Sequence, residues 1–272
     1  MQGLVDYQAI LERVFSPTLQ KVKGKDGGVN WDDYADMYNE MTRMEAASTL
    51  NLLSNLPITK DDSVLDVGCG PARLSVPLAK LAKSVSALDP FAKMLEYAKK
   101  NAKEAGAKNI NFIQKDWSDE ASIKDLPKYD IVLASRSVGL FDIKKLCKFA
   151  SFLPDYPSLK DIWQDFLKGI KDEKEAGLSD RRFGYNFIFN IAYDMGANPN
   201  LEIIDTIFER DFASLEEAFS YFRFVGEIAP EKEEIYKENV KSYLTKTKSG
   251  FKFKRETKSY LIWWDVREMK FE

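Results

Sequence analysis

Residues 64–75, VLDVGCGPARLS, constrain the fold more than any other stretch. Val64-Leu65-Asp66-Val67 reads as a short buried strand, and Gly68-Cys69-Gly70 turns it sharply into a helical run whose apolar positions are Leu74, Leu78 and Leu81. Two alternate glycines at such a turn let another group approach the backbone closely. The alternation continues downstream, with strands expected at 63–67, 84–88, 110–114 and 129–135 and helices near 73–83, 91–105 and 142–150. Strands joined by helix-length crossovers predict an α/β fold, a doubly wound and mostly parallel sheet with right-handed connections. Its binding crevice lies at the carboxyl ends of the strands.

The flanks read differently. Residues 1–57 are expected to form an N-terminal helical cap on an α/β core spanning 58–272. The cap holds a segment near 6–15 (Ile10, Leu11, Val14, Phe15) stopped by Ser16-Pro17, then WDDYADMYNE, then a helix ending at Pro57 with Ala46, Ala47, Leu50 and Leu53 on one face. A fifth strand is poorly marked, and KFASFLP is its one candidate before RRFGYNFIFNIAYDMG. That stretch reads as a helix on Phe183, Phe187, Ile188, Ile191 and Met195, although Tyr185, Phe187, Phe189 and Ile191 also alternate as in a strand. LEIIDTIF (201–208) is a strand, and 213–249 is a helical insertion of two helices before the last strand. In that insertion Ser214 and Glu217 make a capping box, Pro230 suits a first turn, and Gly250 closes the second helix. The apolar run Tyr260–Trp264 suits a strand buried on both faces.

Composition narrows the chemistry. With 44% hydrophobic and 13% aromatic residues the chain can bury a sizeable core. A net charge of −3 and a pI near 5.4 argue against general affinity for polyanions. Histidine is absent, so imidazole bases, His-dependent triads and His-ligated zinc are excluded together. Two cysteines, Cys69 and Cys147, make no disulfide framework, no charged-then-apolar leader opens the chain, and no run approaches the roughly 18 apolar residues of a membrane helix. A reducing cytoplasm is the expected compartment, with no membrane partner.

The glycine spacing separates two nucleotide-binding motifs. A dinucleotide fingerprint, G-x-G-x-x-G, needs glycine where this chain has Arg73. Asp66-Val67-Gly68-Cys69-Gly70-Pro71-Ala72 instead resembles D-x-G-x-G-x-G, the first motif of the class I S-adenosylmethionine-dependent methyltransferases. It departs from the motif at Ala72, where a methyl group is tolerated if φ stays negative. The resemblance implies that Asp66, Gly68, Cys69 and Gly70 bind the cofactor. It implies that Asp89, followed by Pro90, accepts the ribose hydroxyls, beside the plainer reading of Asp89 as a helix cap. Asp116 would accept from the adenine amino group with Trp117 flanking the ring; a surface turn acid is the alternative. WDDYADMY resembles the W-x3-A-x2-Y helix that precedes the core in small-molecule members, so Tyr38 either closes over the methionine end or simply packs. The likeness covers residues 31–145 and implies seven strands, the last antiparallel, with LEIIDTIF and SYLIWWDV as the final pair.

The same likeness implies metal-independent methyl transfer from S-adenosyl-L-methionine to a small-molecule acceptor by in-line displacement. Positioning of this kind supplies about 7–11 kcal/mol of barrier reduction, so the lack of histidine is no obstacle. The loop LASRSVGLFD carries no Asp/Asn-Pro-Pro-aromatic signature of amino-methylating nucleic-acid enzymes, and Cys147, in a lysine-rich helical run, has no preceding proline. Nucleic acid is therefore not expected as a partner. Ser135 and Arg136 are candidate walls of the cofactor and acceptor pockets, with a structural cap and a solvated charge as their alternatives. No residue declares itself catalytic; Tyr34, Tyr38 and Tyr185 are the first to consider. A cofactor-binding protein without turnover, or a same-fold transferase of another group, also suits the motif. The acceptor and the oligomeric state leave no legible trace.

Overall fold

The computed structural model describes residues 5–7, 9, 10, 13, 30–137, 151–155, 165–170 and 185–266. The helices expected near 6–15 and 142–150, and with them Leu11, Val14, Phe15, Cys147 and Phe183, fall wholly or partly outside those residues.

The four expected parallel strands are present as β1 (Ser63–Val67), β2 (Ser84–Asp89), β3 (Ile110–Gln114) and β4 (Ile131–Ala134). β1 lies between β2 and β4, β3 flanks β2, and every pairing is parallel. The elusive fifth strand is β5 (Ser151–Asp155), parallel to β4. Beyond it the sheet turns antiparallel through β8 (Phe251–Trp264) and β6 (Asn200–Phe212), giving the order β3-β2-β1-β4-β5-β8-β6. The seven-stranded expectation needs correction, because a short β7 (Leu244–Lys246) pairs with β8 and makes eight strands among the described residues. β7 occupies part of the stretch read as purely helical, and Gly250 lies in the β7–β8 turn, where Thr247 N–H donates to its carbonyl. Its φ of +149° explains the glycine there.

Helices α1 (Ala35–Arg43), α2 (Ala46–Ser54), α3 (Ser75–Leu78), α4 (Ala92–Glu104), α5 (Glu120–Ile123), α6 (Tyr185–Asp194), α7 (Leu215–Tyr221) and α8 (Glu233–Lys241) complete the described elements. α6 settles the helix reading of residues 185–194. α3 is far shorter than the expected 73–83: past Leu78 the amides of Lys80 and Leu81 reach back only three residues, to the Pro77 and Leu78 carbonyls, and Leu81 is 36% exposed. Leu50 is corrected too: it is 59% exposed, Ala46 and Ala47 are also exposed, and α2 buries Ser48, Thr49, Leu52 and Leu53 instead.

The sheet is covered on both faces, as the alternation of its strands dictates. Leu65, Val67, Val132, Ala134, Tyr260 and Ile262 pack with α6 residues Phe187, Ile188 and Ile191. Val64, Ile131, Leu133 and Leu261 face the other way, onto Leu52 and Leu53 of α2 and Leu74 and Leu78. A third cluster lies at the far end of the β6–β8 hairpin, where Phe208, Phe212 and Phe253 meet Phe166, Phe222, Tyr236, Val240 and α1's Met41 with neighbouring Met44. Ser214 caps α7 as expected: its Oγ accepts from Glu217 N–H, while Glu217 Oε2 accepts from Ala213 N–H.

Candidate cofactor site

The site is built where β1 and β2 end. Gly68 and Gly70 take φ of +70° and +53°, the left-handed values a tight strand-to-helix turn requires. Gly68 and Cys69 donate their amides to Leu88 O, at 2.8 and 3.0 Å, which locks the turn to the end of β2. Space is a second constraint. A Cβ on Gly68 would lie 2.4 Å from Ser137 Cβ, and one on Gly70 would lie 3.4 Å from the Tyr38 ring. Ala72 contradicts its expected negative φ: it stands at +66°. The third motif position needs the left-handed step to enter the helical turn, and alanine bears a cost of about 1–2 kcal/mol there.

Two buried carboxyls flank the turn. Asp89 is 5% exposed and accepts from Gly70 N–H at 2.9 Å through Oδ2 and from Phe91 N–H at 3.0 Å through Oδ1. Burial pushes its pKa up to about 6 against the lowering pull of those two amides. Asp66 accepts from Ser75 Oγ at 2.6 Å, and burial likewise lifts it to about 6. Cys69 is buried beside both acids; desolvation first, and then their charges, hold its thiol well above the usual value, so it stays protonated and a poor nucleophile.

The N-terminal helices lie over this turn. Asp32 accepts from Lys93 N–H at 2.8 Å, Asp36 accepts from Lys93 Nζ and Tyr97 OH at 3.0 and 2.5 Å, and Asn101 donates to both Asn39 Oδ1 and Pro71 O at 2.8 Å. These ties seat Tyr38 above Gly70, with Trp31 edge-on to it at 5.6 Å between ring centroids. Tyr34 is 48% exposed, and Tyr185 sits on α6 against Tyr260.

The remaining expected residues divide. Pro90 follows β2, and its carbonyl accepts from Gln114 Nε2. Asp116 is exposed and closes its own turn, accepting Ser118 N–H and Oγ at 2.8 and 2.7 Å. Trp117 is 2% exposed and packs into the cluster on the α6 side of the sheet. Ser135 accepts from Arg73 Nη2 at 2.6 Å. Arg136 is not freely solvated: its side chain is only 13% exposed, and it takes φ of +54° and donates through Nη2 to Glu45 Oε1. Sequence reasoning missed Glu45, Arg73 and Thr49, which join in this buried network; ion pairs so distant along the chain leave no local pattern to find.

A parallel sheet with a glycine turn after its first strand and a buried acid closing its second defines an α/β enzyme for a nucleoside cofactor. Residues 58–155 match the family model of a methyltransferase domain. An uncharacterized protein of Haemophilus influenzae is 30% identical over 252 residues, covering 88% of this chain and 89% of that one. The chain belongs to the class I S-adenosylmethionine-dependent methyltransferases: it is an enzyme, and S-adenosylmethionine is its cofactor. Two further relatives are the 23S rRNA (uracil(1939)-C(5))-methyltransferases RlmD of Aliivibrio fischeri and Haemophilus parainfluenzae. The first is 40% identical over 70 residues (26% of this chain, 16% of that protein), and the second is 28% identical over 172 residues (62% and 37%). This chain thus spans well under half the length of those rRNA enzymes. Among solved structures, magnesium protoporphyrin IX methyltransferase from Synechocystis with bound SAH is a distant likeness, at a TM-score of 0.40 and 19% identity over 94% of this chain and 99% of that one.

The rRNA relatives overturn the expectation that nucleic acid has no place here. That expectation leaned on net charge, which averages the whole surface, and on a loop signature sought in residues that lie partly outside those described. No helix among the described residues is long and apolar enough to cross a membrane.

Proposed function

We propose that the enzyme transfers a methyl group to a small-molecule nucleophile without a metal ion, in a crevice bounded by the 68–70 turn, Asp89, Tyr38 and the loop at Ser135. S-adenosylmethionine, when bound, supplies a methyl group already activated by its positively charged sulfur. The protein's own residues then have three tasks: to bind, to orient and to exclude water. Asp89, with lone pairs left over from its two amide bonds, accepts the ribose hydroxyls. The glycine turn and Tyr38, whose ring packs against Gly70, border the amino-acid tail. Asp116 and the segment around Trp117 border the adenine, Asp116 turning from its own loop to do so. Asp66 holds the turn from behind through Ser75.

The observation that carries this reading is that residues 31–54 are tied to α4 beside the turn through Asp32, Asp36 and Asn39, which seats Tyr38 against Gly70 at the expected methionine end. The rRNA relatives favour a second reading, with RNA as the acceptor. Transfer of radiolabelled methyl to a panel of amines, thiols, phenols and carboxylates, run beside bacterial total RNA, separates the two. Label in RNA alone overturns the small-molecule reading. Asp89→Ala is expected to weaken S-adenosylmethionine binding at least tenfold by calorimetry, and unchanged affinity would remove Asp89 from the site.

A further inference from the structure

We propose that Glu45 is a positioning residue for methyl transfer, fixing the separation between the glycine turn and the loop after β4. The proposal rests on the reading of residues 68–70 and Asp89 as the cofactor cradle. Glu45 sits at the joint of α1 and α2 and is 2% exposed. Two guanidiniums from opposite sides of the crevice converge on it. Arg73 leaves the glycine turn; its Nε lies 3.7 Å from Glu45 Oε1, and its other nitrogens donate to Ser135 Oγ and Thr49 Oγ1 at 2.6 and 3.2 Å. Arg136 leaves β4 and donates to the same Glu45 oxygen.

The geometry around these bonds explains why the separation matters. Arg136 is left-handed at φ +54°, a conformation that non-glycine residues hold only when their surroundings over-determine it. Its neighbour Ser137 fills the space where Gly68 lacks a side chain, so a shift of the loop moves directly against the turn. Glu45 itself bonds neither the turn amides nor Asp89, and it acts through the two arginines. Without its charge they face each other as like charges in a buried site, and the walls of the crevice spread.

The test uses the full chain with Glu45→Gln, which keeps shape and removes charge. Titration with S-adenosylmethionine is expected to show affinity at least tenfold weaker than wild type. Hydrogen exchange is expected to show protection lost at the Gly68 and Cys69 amides while Leu261 and Ile262 of β8 keep theirs. Affinity within twofold of wild type, or protection lost uniformly, overturns the proposal. If Glu45→Gln does not fold, the double variant Glu45→Met with Arg136→Met replaces the pair by apolar groups of similar length. Its affinity is expected to fall at least tenfold, and affinity within twofold of wild type again overturns the role. Failure of the wild-type chain to bind S-adenosylmethionine would instead count against the cradle reading itself.

Discussion

Asp66 and Asp89 show how a site can oppose stability. Both folded pKa values are near 6, above the 3.8 of an exposed aspartate, so the folded state holds extra protons between those values and stability falls as pH rises through them. At neutral pH each buried charge therefore costs stability, and below about pH 4 the cost has gone. Asp66→Asn is expected to stabilise the ligand-free protein by about 1–3 kcal/mol at pH 7.5, with the gain vanishing toward pH 4 in urea titrations. On the proposed role of Asp89, cofactor affinity runs the opposite way: protonation removes an acceptor, so S-adenosylmethionine binding is expected to weaken as pH drops below about 6, and calorimetry across pH 5–8 checks it. Ala72 contributes a separate strain. Ala72→Gly is expected to raise stability by about 0.5–1 kcal/mol, the relief of the left-handed methyl outweighing the freer unfolded chain.

At the level of elements, α2 does more than cover the sheet. Ser48 Oγ accepts from Ile207 N–H at 2.6 Å and donates to Ile207 O at 3.0 Å, and Glu209 N–H donates to Met44 O at 2.9 Å. The outer edge of β6, a row of backbone groups that would otherwise invite another strand, is thereby closed by a helix. Ser48→Ala is expected to cost about 1–2 kcal/mol in denaturant unfolding, because both Ile207 groups lose their partner. This contact also marks where sequence stops being informative. Ser48 and Thr49 are polar and lie off the expected apolar face of the helix; they turn inward because an edge strand lies beneath Ser48 and the Arg73 guanidinium beside Thr49. β1, β2 and β4 were legible as short runs buried on both faces and bounded by turns, and α4 and α6 by an apolar face of helical period. The first half of β8 was not, since Lys252, Lys254, Glu256 and Lys258 alternate with residues whose partners lie across a hairpin. Within the candidate site, the glycine turn and the place of Asp89 at the end of β2 were legible from local spacing. The left-handed Ala72 and the joining of Glu45 to both arginines depend on tertiary placement.

Across the whole molecule, the β6–β8 hairpin carries two environments. Its paired register runs unbroken from Asn200 opposite Trp263 to Phe212 opposite Phe251. Ile204 and Leu261 belong to the sheet's own core, whereas Phe208, Phe212 and Phe253 belong to the aromatic cluster under α7 and α8. Phe253 is fully buried, 5.0 Å from the Phe222 ring, and Phe253→Ala is expected to cost about 3–5 kcal/mol in thermal unfolding. Because the same two strands floor both environments, neither can come apart while the other keeps its footing. Scanning calorimetry should record one peak for wild type and one, displaced downward without a shoulder, for the variant: damage far from the crevice is felt at the crevice.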